Sequence, residues 1–210
     1  MINQVRLKVF GFGLMMLSCL IAPAQAEFKR AGNYYALQIR GEVKTPYVFT
    51  EVSSFHEGKA WVNTGGLYGF IDTLGEQVCD YLYADVDKYE NGFAPVSRDT
   101  QDGQYGFVNA AGQEVCPLKY SRVKGFYNGF APVQIDSNWT LLDTNGVEVF
   151  EAHYDYPPIV ISHNFIIVAQ SGKWGVVNSL GENQYPLKFD LITKDGVAYI
   201  QNRKVYLGLL

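Results

Sequence analysis

Tyr68-Gly69-Phe70-Ile71-Asp72-Thr73-Leu74-Gly75 decides the fold, because the chain writes it again and again. Copies run from Tyr105 to Gly112, from Trp139 to Gly146 and from Trp174 to Gly181, and Tyr34-Tyr35-Ala36-Leu37-Gln38 ahead of Gly41 reads as a further one. The turn glycines Gly41, Gly75, Gly112, Gly146 and Gly181 are spaced by 34, 37, 34 and 35 residues. A second landmark repeats in step: Gly58-Lys59-Ala60-Trp61-Val62, Gly92-Phe93-Ala94-Pro95-Val96 and Gly129-Phe130-Ala131-Pro132-Val133. It then degenerates to Asn164-Phe165-Ile166-Ile167-Val168 and Gly196-Val197-Ala198-Tyr199-Ile200. Self-similarity at a fixed period is the signature of a repeat architecture.

A period near 34 also suits helical arrays, but those need long Ala/Leu-rich stretches of 3.6 periodicity. Here the apolar runs are four to six residues of Val, Ile, Phe, Tyr and Trp, closed by Gly, Asn and Asp. Such runs are strands. Asn91-Gly92 and Asn128-Gly129 tolerate positive φ at both positions, as a two-residue hairpin turn requires, and Glu57-Gly58 and Asp195-Gly196 are weaker versions. The turns 72–75, 109–112, 143–146 and 178–181 begin with Asp or Asn and end with Gly, which suits a type I turn with a left-handed last residue. The four equally spaced Asp/Asn side chains therefore read as turn formers and not as a metal row. The chain is expected to be all-β, with about five antiparallel meanders of roughly 35 residues. Two stackings stay open: an open twisted array, preferred because the unit is short for a blade, or a five-bladed propeller closed by pairing the two terminal halves.

The aromatic-Gly step and the Phe-x-x-Gly-x-Ala-x-Val half at residues 55–62 resemble the bacterial WG-containing repeat. The resemblance spans residues 33–200, although only Trp174-Gly175 carries the literal dipeptide and Thr140 stands where Gly is usual. It implies a β repeat and says nothing of an activity. The row Tyr34, Tyr68, Tyr105, Trp139 and Trp174 is expected in the core, each ring stabilising by roughly 1.5–3 kcal/mol if fully buried. Gly69, Gly106 and Gly175 then leave room for a neighbouring ring or backbone to approach.

Residues 1–26 read as an address. Arg6 and Lys8 precede an apolar stretch over 9–21, and Ala24-Gln25-Ala26 is a small-x-small cleavage site, so a secretory signal peptide cut after Ala26 is expected. The less favoured alternative is a lipoprotein signal using Cys19. The single domain is then 27–210, periplasmic or secreted, with no membrane span after cleavage. The whole chain has 17 basic and 21 acidic residues; loss of Arg6 and Lys8 leaves 15 against 21, a formal −6. That balance gives no footprint for nucleic acid or an anionic membrane. Charged residues at 18% and aromatic ones at 15% argue against disorder.

Two cysteines remain in a disulfide-permissive compartment. Cys79 and Cys116 each sit four residues after a turn glycine, so they are expected to lie close enough to be bridged if adjacent units stack directly. His56, His153 and His163 occupy unrelated positions with no ligand-spaced neighbours, so no metal is expected. The expansion Asp99-Thr100-Gln101-Asp102-Gly103 lacks the remaining ligands of a calcium loop and reads as a solvated connection. No nucleophile elbow, P-loop or dinucleotide fingerprint is present, so no catalytic residue and no cofactor is expected. The favoured function is a non-catalytic exported binding or scaffold module for a protein or glycan of the cell envelope. The alternative is an envelope hydrolase with a site assembled from loops between repeats.

Overall fold

The computed structural model describes residues 26–99, 101, 103–150 and 154–209, and among them every regular element is a β-strand. The leader read at 1–26 lies outside these residues apart from Ala26, and so do Cys19 and His153.

Six small antiparallel sheets follow one another along the chain, where the landmarks suggested five units. The second is complete: a short first strand Glu51–Val52, a central hairpin of Lys59–Thr64 and Leu67–Asp72, and a fourth strand Gln77–Tyr83. The fifth sheet is complete in the same way. In the third and fourth sheets the fourth strand thins to isolated bridges, such as Tyr105 with Tyr120 and Trp139 with Tyr154. The extra unit arises at the ends. Ala26–Ala31 pairs with Tyr34–Ile39 in the first sheet, and Arg203–Tyr206 pairs with Val197–Ile200 in the sixth. Each terminal half thus finds its hairpin partner locally, which leaves neither free to pair with the other.

The core explains why strands of the middle sheets are apolar along their length. Alternate side chains of a strand point to opposite faces, and a stacked sheet buries both. In the second sheet Val62 and Ile71 pack on Leu37 and Phe49 of the first, while Phe70 and Tyr83 pack on Tyr89, Val96 and Val108 of the third. Phe70 and Tyr89 meet edge to face at 4.9 Å and 74°, a geometry worth about 0.5–1.5 kcal/mol beyond area. Five such clusters join each sheet to the next, and among the described residues none joins the sixth to the first. The outward face of the first sheet carries Glu27, Lys29 and Gln38, opposite in sense to the packed Phe28 and Leu37. A polar end of this kind lets a stack stop. The stack bends: Lys194 of the sixth sheet lies over the Tyr127 ring of the fourth at 5.6 Å. Alternate sheets touch only on the inside of a curve, so the edge carrying the short first strands is the inner one.

The turns follow their chemistry. Asn91-Gly92 has φ of 53° and 85° and closes a two-residue hairpin with paired Glu90–Phe93 hydrogen bonds. Asp72 accepts the N–H groups of Leu74 and Glu76 through Oδ1, with Gly75 left-handed at φ 87°. Asp195-Gly196 departs from the two-residue form, because Gly196 alone is left-handed there and donates to the Thr193 carbonyl.

Three expectations need correction. Tyr35, bridged to Phe49, stands where Tyr68, Tyr105, Trp139 and Trp174 stand, and Tyr34 does not. The first unit turns through only Arg40-Gly41, so its glycine arrives one residue early and alignment on it slips the strand by one. A slip of one moves every side chain to the other face. The aromatic row is also only half-buried: Trp139 is 5% exposed, while Tyr68, Tyr105 and Trp174 lie at the boundary. In addition, Cys79 and Cys116 are both free thiols and form no bridge. Each belongs to its own inter-sheet cluster, Cys79 beside the Gly112 turn and Cys116 beside the Gly146 turn.

Candidate functional site

On the inner edge of the second, third and fourth sheets the first strand is only two residues long. The reason lies in the strand behind it. Pro95 and Pro132 accept from the N–H groups of Asp87 and Lys124 but have none to return. In the second sheet Trp61 fills that place, and its N–H goes to the Ser53 hydroxyl instead, at 2.9 Å. The ladder therefore stops at the same point, and the chain turns outward to expose a row of side chains.

The residue two beyond each inter-unit aromatic forms that row: Glu51, Asp85, Arg122, Tyr156 and Leu191. Positions facing the core repeat one residue type; this one reads acid, acid, base, aromatic, aliphatic. Each of its first four members sits beside the third-strand aromatic of its own unit. The Tyr68 hydroxyl donates to Glu51 at 2.5 Å, the Tyr105 hydroxyl donates to Asp85 Oδ2 at 2.6 Å, and Tyr156 stacks on Trp174 at 5.5 Å and 16°. Arg122 lies with Trp139 on the wall of one cleft.

That cleft, of about 760 Å³, spans the inner edges of the third, fourth and fifth sheets. Asp85 and Tyr105 line one side, Arg122, Lys124 and Trp139 the middle, and Asp155, Tyr156 and Pro157 the other side. The hydrogen bond to Asp85, helped by partial burial, pushes the Tyr105 phenol up to about 12, so it stays a proton donor at neutral pH. Asp155 Oδ2 accepts the Gly172 N–H at 3.1 Å. Arg122 and Lys124 flank the core-facing Val123 and so point the same way, into the cleft. Among the described residues neither cation has an ion-pair or side-chain hydrogen-bond partner, while four other cations form ion pairs: Lys44, Arg98, Lys119 and Lys173.

Of the residues singled out in the sequence, Tyr105 and Trp139 line the cleft and Trp174 backs Tyr156, while the glycines and histidines lie elsewhere. Gly75, Gly112, Gly146 and Gly181 form turns away from the cleft. Gly69 lies under the Tyr81 ring and Gly106 under Leu118, and Gly175 faces the main chain of residues 185–187. His56 Nε2 is 3.1 Å from the Ser54 hydroxyl, and the His163 ring packs edge-on to Phe130. Asp99 accepts the Gln101 N–H in a local turn. Among the described residues no group of three His, Cys, Asp or Glu could hold a metal, and no helix is long and apolar enough to cross a membrane. Sequence reasoning missed Asp85, Arg122, Lys124 and Tyr156. The signal available was the change of residue type at one fixed repeat position.

No curated protein matches the chain. Among solved structures it is similar to BamB from Moraxella catarrhalis, at 13% identity over 76% of this chain and 62% of that one, with a TM-score of 0.37. It is also similar to Hsv2 of Kluyveromyces marxianus (14% identity, 75% and 60%, TM-score 0.41). Hsv2 of Kluyveromyces lactis gives 13% identity, 87% and 73%, and a TM-score of 0.39. The chain thus spans about three fifths of the length of BamB and of the K. marxianus protein. The WG containing repeat family matches residues 40–68, 68–99, 105–139 and 139–174, successive passages through the same meander that together cover more than half of the sequence. The chain belongs to the WG containing repeat family.

Proposed function

We propose that the protein is an exported, non-catalytic binding module and that the inner-edge cleft of the third to fifth sheets is its ligand site. One observation carries this reading: Arg122 and Lys124 project unpaired into a cleft whose other walls are carboxylates and aromatic rings. A guanidinium and an ammonium side by side, with their donors free, can hold an anion through charge-assisted hydrogen bonds. Bent repeat stacks present concave surfaces of this kind. The non-catalytic part rests on how the carboxylates are engaged. Asp85 holds the Tyr105 phenol and Asp155 the Gly172 amide, so each is tied to a structural donor. Export rests on the basic start, apolar run and small-x-small site at residues 1–26.

The test is capture from cell-envelope extract on immobilised protein, wild type against Arg122→Glu/Lys124→Glu. Both substitutions are on exposed side chains, so the fold should be unchanged. Material retained by wild type and lost by the variant supports the reading. Identical retention by both removes the cleft as the binding site.

A further inference from the structure

We infer that the cleft takes a carboxylated sugar, a hexuronic acid unit within a glycan chain; this rests on the cleft being the ligand site. The cations supply the first constraint. Arg122 and Lys124 stand two residues apart on one strand edge and face the same space. A guanidinium fork matches a carboxylate with two parallel hydrogen bonds, and a neighbouring ammonium adds a point charge.

The acids supply the second. Asp85, Asp87, Glu90 and Asp155 line the cleft against Lys88, Arg122 and Lys124. Four carboxylates against three cations disfavour a polyanion and confine a single carboxylate to the Arg122–Lys124 pair, with neutral hydroxyls elsewhere. Tyr105 occupies Asp85 Oδ2 and Gly172 occupies Asp155 Oδ2, while Oδ1 of each has no side-chain or main-chain donor among the described residues. Those two oxygens are acceptors waiting for hydroxyl donors.

The third constraint is a flat apolar surface. Tyr156 is 53% exposed yet backed by the stacked Trp174 ring. A ring held from behind loses little freedom on binding and presents its free face to the C–H face of a pyranose.

An extended peptide fits less well. It would add to a sheet edge through main-chain hydrogen bonds and place alternate side chains in pockets. The first strands at the cleft are Asp85–Val86 and Arg122–Val123, too short for more than a rung or two. Val86 and Val123 are the aliphatic residues of the lining apart from the prolines, and both pack their side chains on the inter-sheet clusters.

Calorimetric titration of the purified protein decides the ligand class, with an aldotriouronic acid (one glucuronate on xylobiose, a single carboxylate) as the probe and xylotriose and hexaglutamate as comparisons. The expected result is saturable binding of the aldotriouronic acid, with xylotriose weaker by about tenfold for want of the carboxylate. Arg122→Gln should weaken the aldotriouronic acid by about tenfold, and Tyr156→Ala by about fivefold. Absence of aldotriouronic acid binding, unchanged affinity in Arg122→Gln, or tighter binding of hexaglutamate that ignores Tyr156→Ala each overturns the sugar assignment. If these fail while envelope capture still depends on Arg122 and Lys124, the ligand class is wrong and the cleft stands. If capture does not depend on them, the cleft reading itself has failed.

Discussion

Gly146 lies against the main chain of Val115, a residue of the preceding unit: a Cβ added to Gly146 would overlap the Val115 carbonyl. Gly112 meets Val78 in the same way one unit earlier. The turn glycine therefore serves two ends. It takes the left-handed conformation that closes its own turn, at φ 79° in Gly146, and it is the point where one sheet rests on the last strand of the sheet before.

Substitution should separate the two roles. Gly172 is also left-handed, at φ 72°, but has open space around it. Gly172→Ala should cost only the left-handed strain, about 1–2 kcal/mol. Gly146→Ala should add overpacking against a carbonyl, for a total of about 2–5 kcal/mol. Urea denaturation of the two variants measures the difference; equal losses would leave the inter-sheet contact without weight.

The glycines after the aromatic should also differ among themselves. A Cβ on Gly106 would lie 2.5 Å from Leu118 Cδ2, the tip of a side chain that can swing aside. On Gly175 it would lie 2.8 Å from the Tyr185 carbonyl oxygen and 3.0 Å from the Leu187 nitrogen, which cannot. Gly175→Ala should therefore destabilise by about 1–3 kcal/mol and Gly106→Ala by less. Thermal melting of the pair would show the order, and the reverse order would contradict it.

Hydrogen bonds between hairpin turns tie neighbouring units together. Glu57 accepts the N–H groups of Asn91 and Gly92 at 2.7 and 2.8 Å, and the Asn91 amide donates to the Phe126 carbonyl at 2.7 Å. Asn91→Gly keeps the left-handed turn and removes only that last bond, at a cost of about 0.5–1.5 kcal/mol. The loss should appear in hydrogen exchange as faster opening between the third and fourth sheets, with the fifth and sixth unaffected. Uniform acceleration along the chain would argue against a local tie.

Alkali should unfold the protein through its core phenols. Burial pushes the Tyr83, Tyr89 and Tyr120 hydroxyls above their ordinary range, with Glu114 and Glu148 adding to it for Tyr83 and Tyr120. The neutral form is favoured in the folded state, so the unfolded chain ionises first. Stability is then flat below pH about 10 and falls as pH rises past that value. Chemical denaturation from pH 8 to 11 should show this slope, and Tyr83→Phe/Tyr120→Phe should flatten it. An unchanged slope in the double variant would place the alkaline transition elsewhere.

How much of this the sequence revealed follows from where the information lies. The turns were legible because Asn91-Gly92 and the residues from Asp72 to Gly75 carry their geometry in their own side chains. The middle strands were legible because both faces are buried, which leaves unbroken apolar runs such as Phe70-Ile71. The end strands were not. Ala26-Glu27-Phe28-Lys29-Arg30-Ala31 and Arg203-Lys204-Val205-Tyr206 are largely exposed and lack the glycine landmarks, so nothing in the repeat pattern marks them as strands. The cleft was invisible for a different reason. Asp85, Arg122 and Tyr156 sit on strand edges two residues long or on the chain beside them, and only the stacking of three sheets brings them to one space.

Disulfide trapping tests the open six-sheet stack most directly. Glu27 stands directly opposite Gln38 in the first sheet, and both side chains lie on the outward face. Directly opposed antiparallel residues are about 4.5–5.5 Å apart at Cα, within reach of a disulfide. In a background lacking Cys79 and Cys116, cysteines at positions 27 and 38 should form an intramolecular bridge on mild oxidation, and cysteines at 36 and 198 should not. A ring closed by pairing Tyr34–Ile39 with Val197–Ile200 in the register of the second sheet, which sets Val62 opposite Gly69, would give the opposite result: a bridge between 36 and 198, and free thiols at 27 and 38.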